Sequence, residues 1–381
     1  MPPATVLFAL NYPSDTGYAW ATIQQVYLRV IGALGQQGWR GAVCYPPSAA
    51  GPPARFRDAG VETIPFDYGS TTTGLVATLS FCRLLRREQV RVLYLTDRPT
   101  RSLRYLLFRL SGVRAVVVHD RTSGERTRRP APVRFVKRLL HAIPGYAADR
   151  FIGVSDFVVR RLVEVNGTPA AHTIRVYNGI DLTPYELPPG RGLHAVLGLP
   201  AESKVVFASG RAMPYKGIGV LLQAAARLEA AGYEHVHVAF AGDGPGLSDL
   251  RREAERLALR RFHFLGKRDD VPSLVRSAAI TVVPSLWAES FGLTVVEGMA
   301  AGTAVIASAV GGIPELIRDS ENGLLVPAGD PAALTTALRR LLDDDALRKR
   351  IGLRAREEAR ARFGMDRTAA ELARVLAALD P

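Results

Sequence analysis

Apolar runs of four to six residues recur along this chain, separated by stretches with helical spacing. In the first half the runs are TVLFAL, GAVCY, RVLYL, RAVVVH and RFIGVS, and the intervening stretches include ATIQQVYLRVIGALGQQG, LVATLSFCRLLRRE and RSLRYLLFRLSG. A strand with one wetted face alternates apolar and polar residues, whereas a strand covered on both faces is apolar throughout. Continuous runs interleaved with amphipathic helices therefore predict parallel sheets sheathed by helices, the doubly wound α/β class.

Residues 183–200, TPYELPPGRGLHAVLGLP, break the rhythm with four prolines and three glycines. That is the composition of a linker between domains. The rhythm then resumes. KVVFASG, HVHVAFAG, RFHFLG, AITVVPS, TAVIAS and NGLLVP are expected strands, with IGVLLQAAARLEAAG, PGLSDLRREAERLAL, TVVEGMAAG and PAALTTALRRLLDDD as helices. We therefore expect two doubly wound domains, residues 1–182 and 201–364, joined by 183–200. Residues 331–379 are helical in pattern, and the segment 365–381 is expected to pack back onto the first domain. Ligands of such sheets bind beyond the carboxyl ends of the strands, so chemistry is to be sought in the loops there.

Composition narrows the setting. Two cysteines, Cys44 and Cys82, are too few for a disulfide framework or a metal cluster and suit a reducing compartment, the cytoplasm. The opening MPPATVLFALNYP has no basic stretch ahead of its apolar run, which predicts a buried strand rather than a signal peptide. No run approaches the ~18 apolar residues of a membrane span. The net charge of +13 is unevenly spread: residues 1–185 hold 24 Lys and Arg against 12 Asp and Glu, residues 186–381 hold 25 against 24. A preference for Arg over Lys does not remove acids from one half. The asymmetry is either a compositional accident or the mark of an anionic partner or membrane surface.

Three loops stand out. In ASGRAMPYKG (208–217) a strand ends, Gly210 turns the chain, and Arg211 and Lys216 precede the next helix. Two cations beside a helix N-terminus suit a diphosphate, the alternative being a solvated loop. FAGDGPG (240–246) is a glycine-rich strand-to-helix turn that either admits a ligand or simply turns tightly. ESFGLTVVE (289–297) places Glu289 in the loop after a strand and Glu297 about one turn into the next helix, with Phe291 and Gly292 at the helix mouth. Carboxylates accept hydrogen bonds from sugar hydroxyls and cations hold phosphates. Both on one sheet edge suit a ligand carrying hydroxyls and phosphates.

In order, NGID (178–181), GR....KG (210–217), AGDGP (241–245), FLG (264–266), PS...ESFG....E (284–297) and GGIPE (311–315) resemble the nucleotide-binding half of the retaining GT-B-fold glycosyltransferases, the group 1 enzymes of glycosyltransferase family 4. The resemblance implies two Rossmann-like domains facing each other across a cleft. It implies a hexosyltransferase-type enzyme that moves a sugar from a nucleotide-diphosphate donor to an acceptor hydroxyl with retention of anomeric configuration. Arg211 and Lys216 would neutralise the diphosphate as the leaving group gains charge. Glu289 would bind hydroxyls of the donor sugar and Glu297 the ribose. Backbone N–H groups of Phe291, Gly292 and Leu293 would contact sugar and phosphate, and Gly210, Gly242 and Gly244 would shape the loops and leave room beside the nucleotide. Enzymes of this fold generally need no metal, so neither metal nor other cofactor is expected. DDD (343–345) is taken as solvated surface.

In the first half the match is thinner. RAVVVHDR puts His119 just after a strand, where similar enzymes carry a histidine that orients the donor's reactive carbon. The first strand–helix loop, NYPSDTGYAW, carries Gly17 where the family has a Gly-Gly pair approaching the diphosphate; here Thr16 precedes it. The segment 121–145 is strongly basic: residues 121–138 hold seven cations against Glu125, and Val133, Val136, Leu139 and Leu140 recur at helical spacing. It is either a helix that meets anionic headgroups or a phosphate-bearing acceptor, or a basic loop followed by a core-packed helix. The acceptor is expected to be lipid-linked or otherwise anionic, with peripheral contact at the inner face of a membrane. A soluble small-molecule or natural-product acceptor, a nucleotide-sugar epimerase and a non-catalytic binding subunit are the rivals. No nucleic-acid motif accompanies the charge, so no nucleic-acid partner is expected.

Overall fold

The computed structural model of the chain describes residues 4–10, 18–47, 53–67, 74–127, 130–187 and 190–379. They form two units, Met1–Thr122 with Arg126–Gly179 and Met365–Pro381, and Ile180–Gly364 with Ser123–Glu125.

The first unit is built on seven parallel strands: β1 (Thr5–Ala9), β2 (Arg40–Tyr45), β3 (Glu62–Pro65), β4 (Val90–Thr96), β5 (Ala115–Asp120), β6 (Arg150–Gly153) and β7 (Thr173–Arg175). Their order across the sheet is β3-β2-β1-β4-β5-β6-β7. The apolar runs occupy the centre, and every residue of β1 and β5 is buried. Helix Tyr18–Gly35 packs Val26, Tyr27, Val30 and Leu34 on one face of the sheet, and helix Met365–Ala377 adds Met365, Ala369, Leu372 and Leu376 to the same core. Right-handed crossovers place helices Leu75–Arg87, Leu103–Leu110 and Ala131–His141 on the other face. There Phe81 meets Phe108 edge-on at 5.3 Å.

The second unit repeats the plan with six parallel strands: β8 (Lys204–Ser209), β9 (Val236–Ala241), β10 (Phe262–Gly266), β11 (Ile280–Val283), β12 (Ala304–Ser308) and β13 (Leu324–Val326). Their order is β10-β9-β8-β11-β12-β13. The winding reverses between β8 and β11, so the loops after those strands flank a crevice at their carboxyl ends, the place where such sheets hold ligands.

The Pro/Gly-rich stretch 183–200 is not a free connection. It forms short helices Thr183–Glu186 and Leu193–Leu197 within the second unit, Tyr185 and Leu193 are buried, and the Leu193 N–H donates to Ser277 Oγ at 2.8 Å. Apolar residues between the prolines find a surface to cover, which composition alone does not reveal. Apart from the short excursion Ser123–Glu125, the chain passes between units at 179/180 and again at 364/365. The DDD triplet lies at the exposed surface, as expected, and its carboxylates make local contacts there. Asp343 accepts from Tyr233 Oη, Asp344 caps helix Asp345–Arg362 through the Leu347 N–H, and Asp345 pairs with Lys204 and Arg348. Among the described residues no helix is long and apolar enough to cross a membrane.

Candidate functional site

In the second unit two loops meet at the β8/β11 switch point. The loop after β8 runs Gly210–Gly217 and ends in a short 3-10 turn, Pro214–Lys216; the loop after β11 runs Pro284–Gly292 and feeds helix Leu293–Ala301. Main-chain contacts zip them together. The Leu286 N–H donates to the Tyr215 carbonyl at 2.8 Å. Gly217, at φ +70°, lies so near Pro284 that an added Cβ would stand 1.8 Å from the Pro284 carbonyl oxygen. Only glycine tolerates both that conformation and that approach.

The zip brings two of the expected residues into contact. Lys216 Nζ donates to Glu289 Oε1 at 2.6 Å, and Ser285 Oγ donates to the same oxygen at 2.8 Å. Glu289 is largely buried and Lys216 about two-thirds so, their side chains being 13% and 31% exposed. The GGIPE segment braces this loop from behind, the Gly312 N–H donating to the Glu289 carbonyl at 2.8 Å. Ser285 was not anticipated; a hydroxyl four residues before Glu289, on the same loop, was the available signal. Arg211 stands exposed at the start of the first loop.

Glu297 occupies the second turn of helix Leu293–Ala301 and is 4% exposed, on a helix whose Val295, Val296 and Met299 are also buried. A carboxylate does not stand in such surroundings without a polar partner. Gly292 caps this helix and Leu293 begins it, leaving the first-turn N–H groups as donors. The Phe291 ring packs edge-on against Phe363 at 5.7 Å, so only its backbone serves a ligand. Gly242 and Gly244 stand where two loops come close. A Cβ on Gly242 would lie 1.9 Å from the Gly210 carbonyl oxygen, and one on Gly244 2.7 Å from that of Ala212. Their missing side chains let the β9 loop press against the β8 loop, and the Ala212 N–H donates to the Asp243 carbonyl at 2.9 Å. Beside these loops an aromatic pair, Tyr215 and Trp287, is 37% and 48% exposed with ring centroids 6.1 Å apart.

His119 belongs to the first unit and is not a loop residue. It lies inside β5, wholly buried, because its ring is hydrogen-bonded within the sheet layer. Its Nδ1 pairs with Tyr94 Oη and lies 3.3 Å from an Arg121 guanidinium nitrogen. Arginine only donates, so Nδ1 is the acceptor and the proton resides on Nε2. Burial first, and the Arg121 charge second, hold the imidazole well below its ordinary pKa, so it is neutral. Nε2 has no partner among the described residues. Arg121, absent from the expected set, also donates to Asn178 Oδ1 at 2.7 Å. Gly17 lies outside the described residues.

Residues 23–184 match the model for Glycosyltransferase Family 4, and residues 192–358 match that for Glycosyl transferases group 1. A D-inositol 3-phosphate glycosyltransferase of Streptomyces bingchenggensis is 36% identical over 243 residues, 61% of this chain and 53% of the relative. The chain thus spans about half the length of the curated relatives it matches. A glycosyltransferase from Rickettsia africae superposes with a TM-score of 0.83 at 17% identity, covering 100% of this chain and 99% of that one. Anabaena HepE in complex with UDP and glucose gives 0.77 at 21%, covering 98% and 100%. Those two likenesses speak to the fold, which is GT-B. With one family model on each sheet, the chain belongs to the group 1 glycosyltransferases of glycosyltransferase family 4.

Proposed function

We propose that the protein moves a sugar from a nucleotide-diphosphate donor to an acceptor hydroxyl, with retention at the anomeric carbon. The observation that carries this is the 2.6 Å contact between Lys216 and Glu289 at the switch point, cation and carboxylate on the two loops that flank the crevice. An ammonium has three N–H donors, so Lys216 can keep one on Glu289 and offer others to a phosphate. Lys216 and Arg211 then stabilise the negative charge that grows on the leaving diphosphate. Glu289 Oε2 and Glu297 take sugar and ribose hydroxyls. The N–H groups of Phe291, Gly292 and Leu293, at the helix mouth, add to the positive field there. The departing phosphate oxygen receives the acceptor's proton on the face it leaves, so Glu289 positions and does not act as a base. The cationic loop supplies what a divalent metal supplies elsewhere, so transfer proceeds without one. Neutral His119 orients by donating a hydrogen bond.

A D-inositol 3-phosphate glycosyltransferase among the relatives and UDP bound to Anabaena HepE support a nucleotide-sugar donor and a polar, anionic acceptor. A lipid-linked glycan precursor at the inner face of a membrane is the acceptor class that fits the basic first half of the chain.

Thermal-shift measurement against a panel of nucleotide-diphosphate sugars tests the donor, since a ligand that binds only the folded state raises Tm. Transfer is then followed as nucleoside-diphosphate release with candidate acceptors, and donor alone is checked for an isomerised sugar. Stabilisation by at least one donor, lost in Lys216→Ala and Glu289→Ala, is expected. No stabilisation by any nucleotide sugar would overturn the donor site, and isomerisation without acceptor would make the protein an epimerase.

A further inference from the structure

The first unit has one side that water suits poorly. Of the fifteen large apolar side chains exposed among the described residues, ten lie between residues 75 and 143. They belong to the helix layer Leu75–Arg87, Leu103–Leu110 and Ala131–His141 and to Ile143 just beyond it, on the sheet face opposite Tyr18–Gly35. Leu75 is 69% exposed, Val76 79%, Leu103 71%, Phe135 62%, Val136 52% and Leu139 53%. Hydrogen bonds tie these segments to one another. Arg86 donates to the Leu110 carbonyl at 3.1 Å, and Arg101 to that of Lys137 at 2.8 Å. These three helices contain eight Lys and Arg and no Asp or Glu.

The 131–141 helix is built inside out. Val133, Phe135, Val136 and Leu139 face solvent, and no residue of the helix whose burial is described is buried. The side towards the protein carries Lys137, whose Nζ donates to the Val165 carbonyl at 2.8 Å, and His141, whose Nδ1 lies 2.8 Å from the Lys137 carbonyl. A helix arranged for water turns its apolar arc inward. Scattered exposed leucines are ordinary, but Val133, Phe135, Val136 and Leu139 exposed together on one helix mark a contact surface. Val133, Val136 and Leu139 are therefore not packed in the core, while Leu140 is half-buried.

We propose that this face docks on the surface of an anionic lipid bilayer, with Phe135, Val136 and Leu139 entering the boundary between headgroups and acyl chains and the arginines holding lipid phosphates. A bilayer of acidic lipids is negative at its surface and apolar just beneath, which matches acid-free helices that expose both charge and hydrocarbon. A second copy of this chain is a poor occupant, because face-to-face pairing sets basic, acid-free helices against one another. The inference stands on residues that take no part in the donor site.

The purified full chain is sedimented with vesicles of phosphatidylcholine alone and with vesicles containing roughly 30% phosphatidylglycerol. Binding at least about tenfold stronger to the acidic vesicles is expected, falling as NaCl rises from about 0.05 to 0.5 M. The double variant Phe135→Ser/Leu139→Ser should bind them about tenfold or more weakly with unchanged circular dichroism, since both side chains are exposed. Its thermal shift with nucleotide sugars should match the parent's, which separates this test from that of the donor site. Absent binding, equal binding to both vesicles, or parental binding by the double variant would overturn the proposal. A dimer that the double variant converts to monomer would overturn it too, by assigning the face to a second copy.

Discussion

Replacing Gly217 by alanine tests the candidate site without touching a side chain that would meet a ligand. The new methyl group would start 1.8 Å from the Pro284 carbonyl oxygen, where real contacts do not fall below 3.0 Å, so the two loops must part. The left-handed φ of +70° costs a non-glycine residue about 1–2 kcal/mol. Parting stretches the 2.8 Å bond from Leu286 to Tyr215, worth about 1 kcal/mol. A total near 2–3 kcal/mol lowers Tm by about 5–10 °C in a unit of this size. The larger effect is on function, because Lys216 and Glu289 ride on the separated loops. A misplacement of about 1 Å costs on the order of 100-fold in rate. Gly219→Ala is the control. Two residues on, inside helix Ile218–Ala230, a Cβ there has no neighbour within 4 Å. Alanine at that site should stabilise by roughly 0.5–1 kcal/mol through helix propensity. The assay pairs thermal denaturation with turnover of whichever nucleotide sugar stabilises the parent most. Parental turnover in Gly217→Ala would refute the idea that the zip positions the site, and so would equal losses in both variants.

Other outcomes follow from particular contacts. Lys216→Ala and Glu289→Ala should each reduce transfer by about 100-fold or more while lowering stability by only about 1 kcal/mol, because the pair is partly solvated; a stability loss as large as the activity loss would mean a structural pair. Glu297→Gln should weaken nucleotide binding more than it slows the bound complex, seen as a raised KM for donor at nearly parental kcat. His119, neutral when folded, binds fewer protons than it does unfolded, so its contribution to stability is present above pH about 6.5 and is lost as pH falls below that. His119→Asn should flatten the fall in Tm on acidification, and an unchanged profile would show that other groups carry it. Cys44, its thiol pushed up to about 12 chiefly by burial, should resist alkylation at pH 8 until the protein unfolds, as read by mass spectrometry.

The second unit was legible because each of its strands is a continuous apolar run and each ligand loop sits in a recognisable string. In the first unit ETIP and TIR were missed: they are short edge strands without an apolar run, and pairing with β2 and β6 alone makes them strands. A histidine after AVVV looks like a strand end, whereas Tyr94 and Arg121 hold the His119 Nδ1 inside the sheet. The contact between Lys216 and Glu289 is not written in any local spacing. The two residues lie 73 positions apart and meet because β8 and β11 are neighbours in the sheet. The spacing around residues 133–140 was visible, but which way its apolar arc points depends on what Lys137 finds beneath it.

The helix Met365–Ala377 closes the core of the first unit against Val26, Tyr27, Val30 and Leu34, although the 185 residues Ile180–Gly364 of the other unit separate it from Gly179. At roughly 5–20 residues per second, translation needs about 10–40 s to cross that gap. During that interval one flank of the nascent sheet lacks its cover, while the stretch 180–364 can already mature as an almost uninterrupted piece. Vectorial synthesis therefore favours finishing the later half first, and exposes the earlier half to chaperones and to aggregation for the duration.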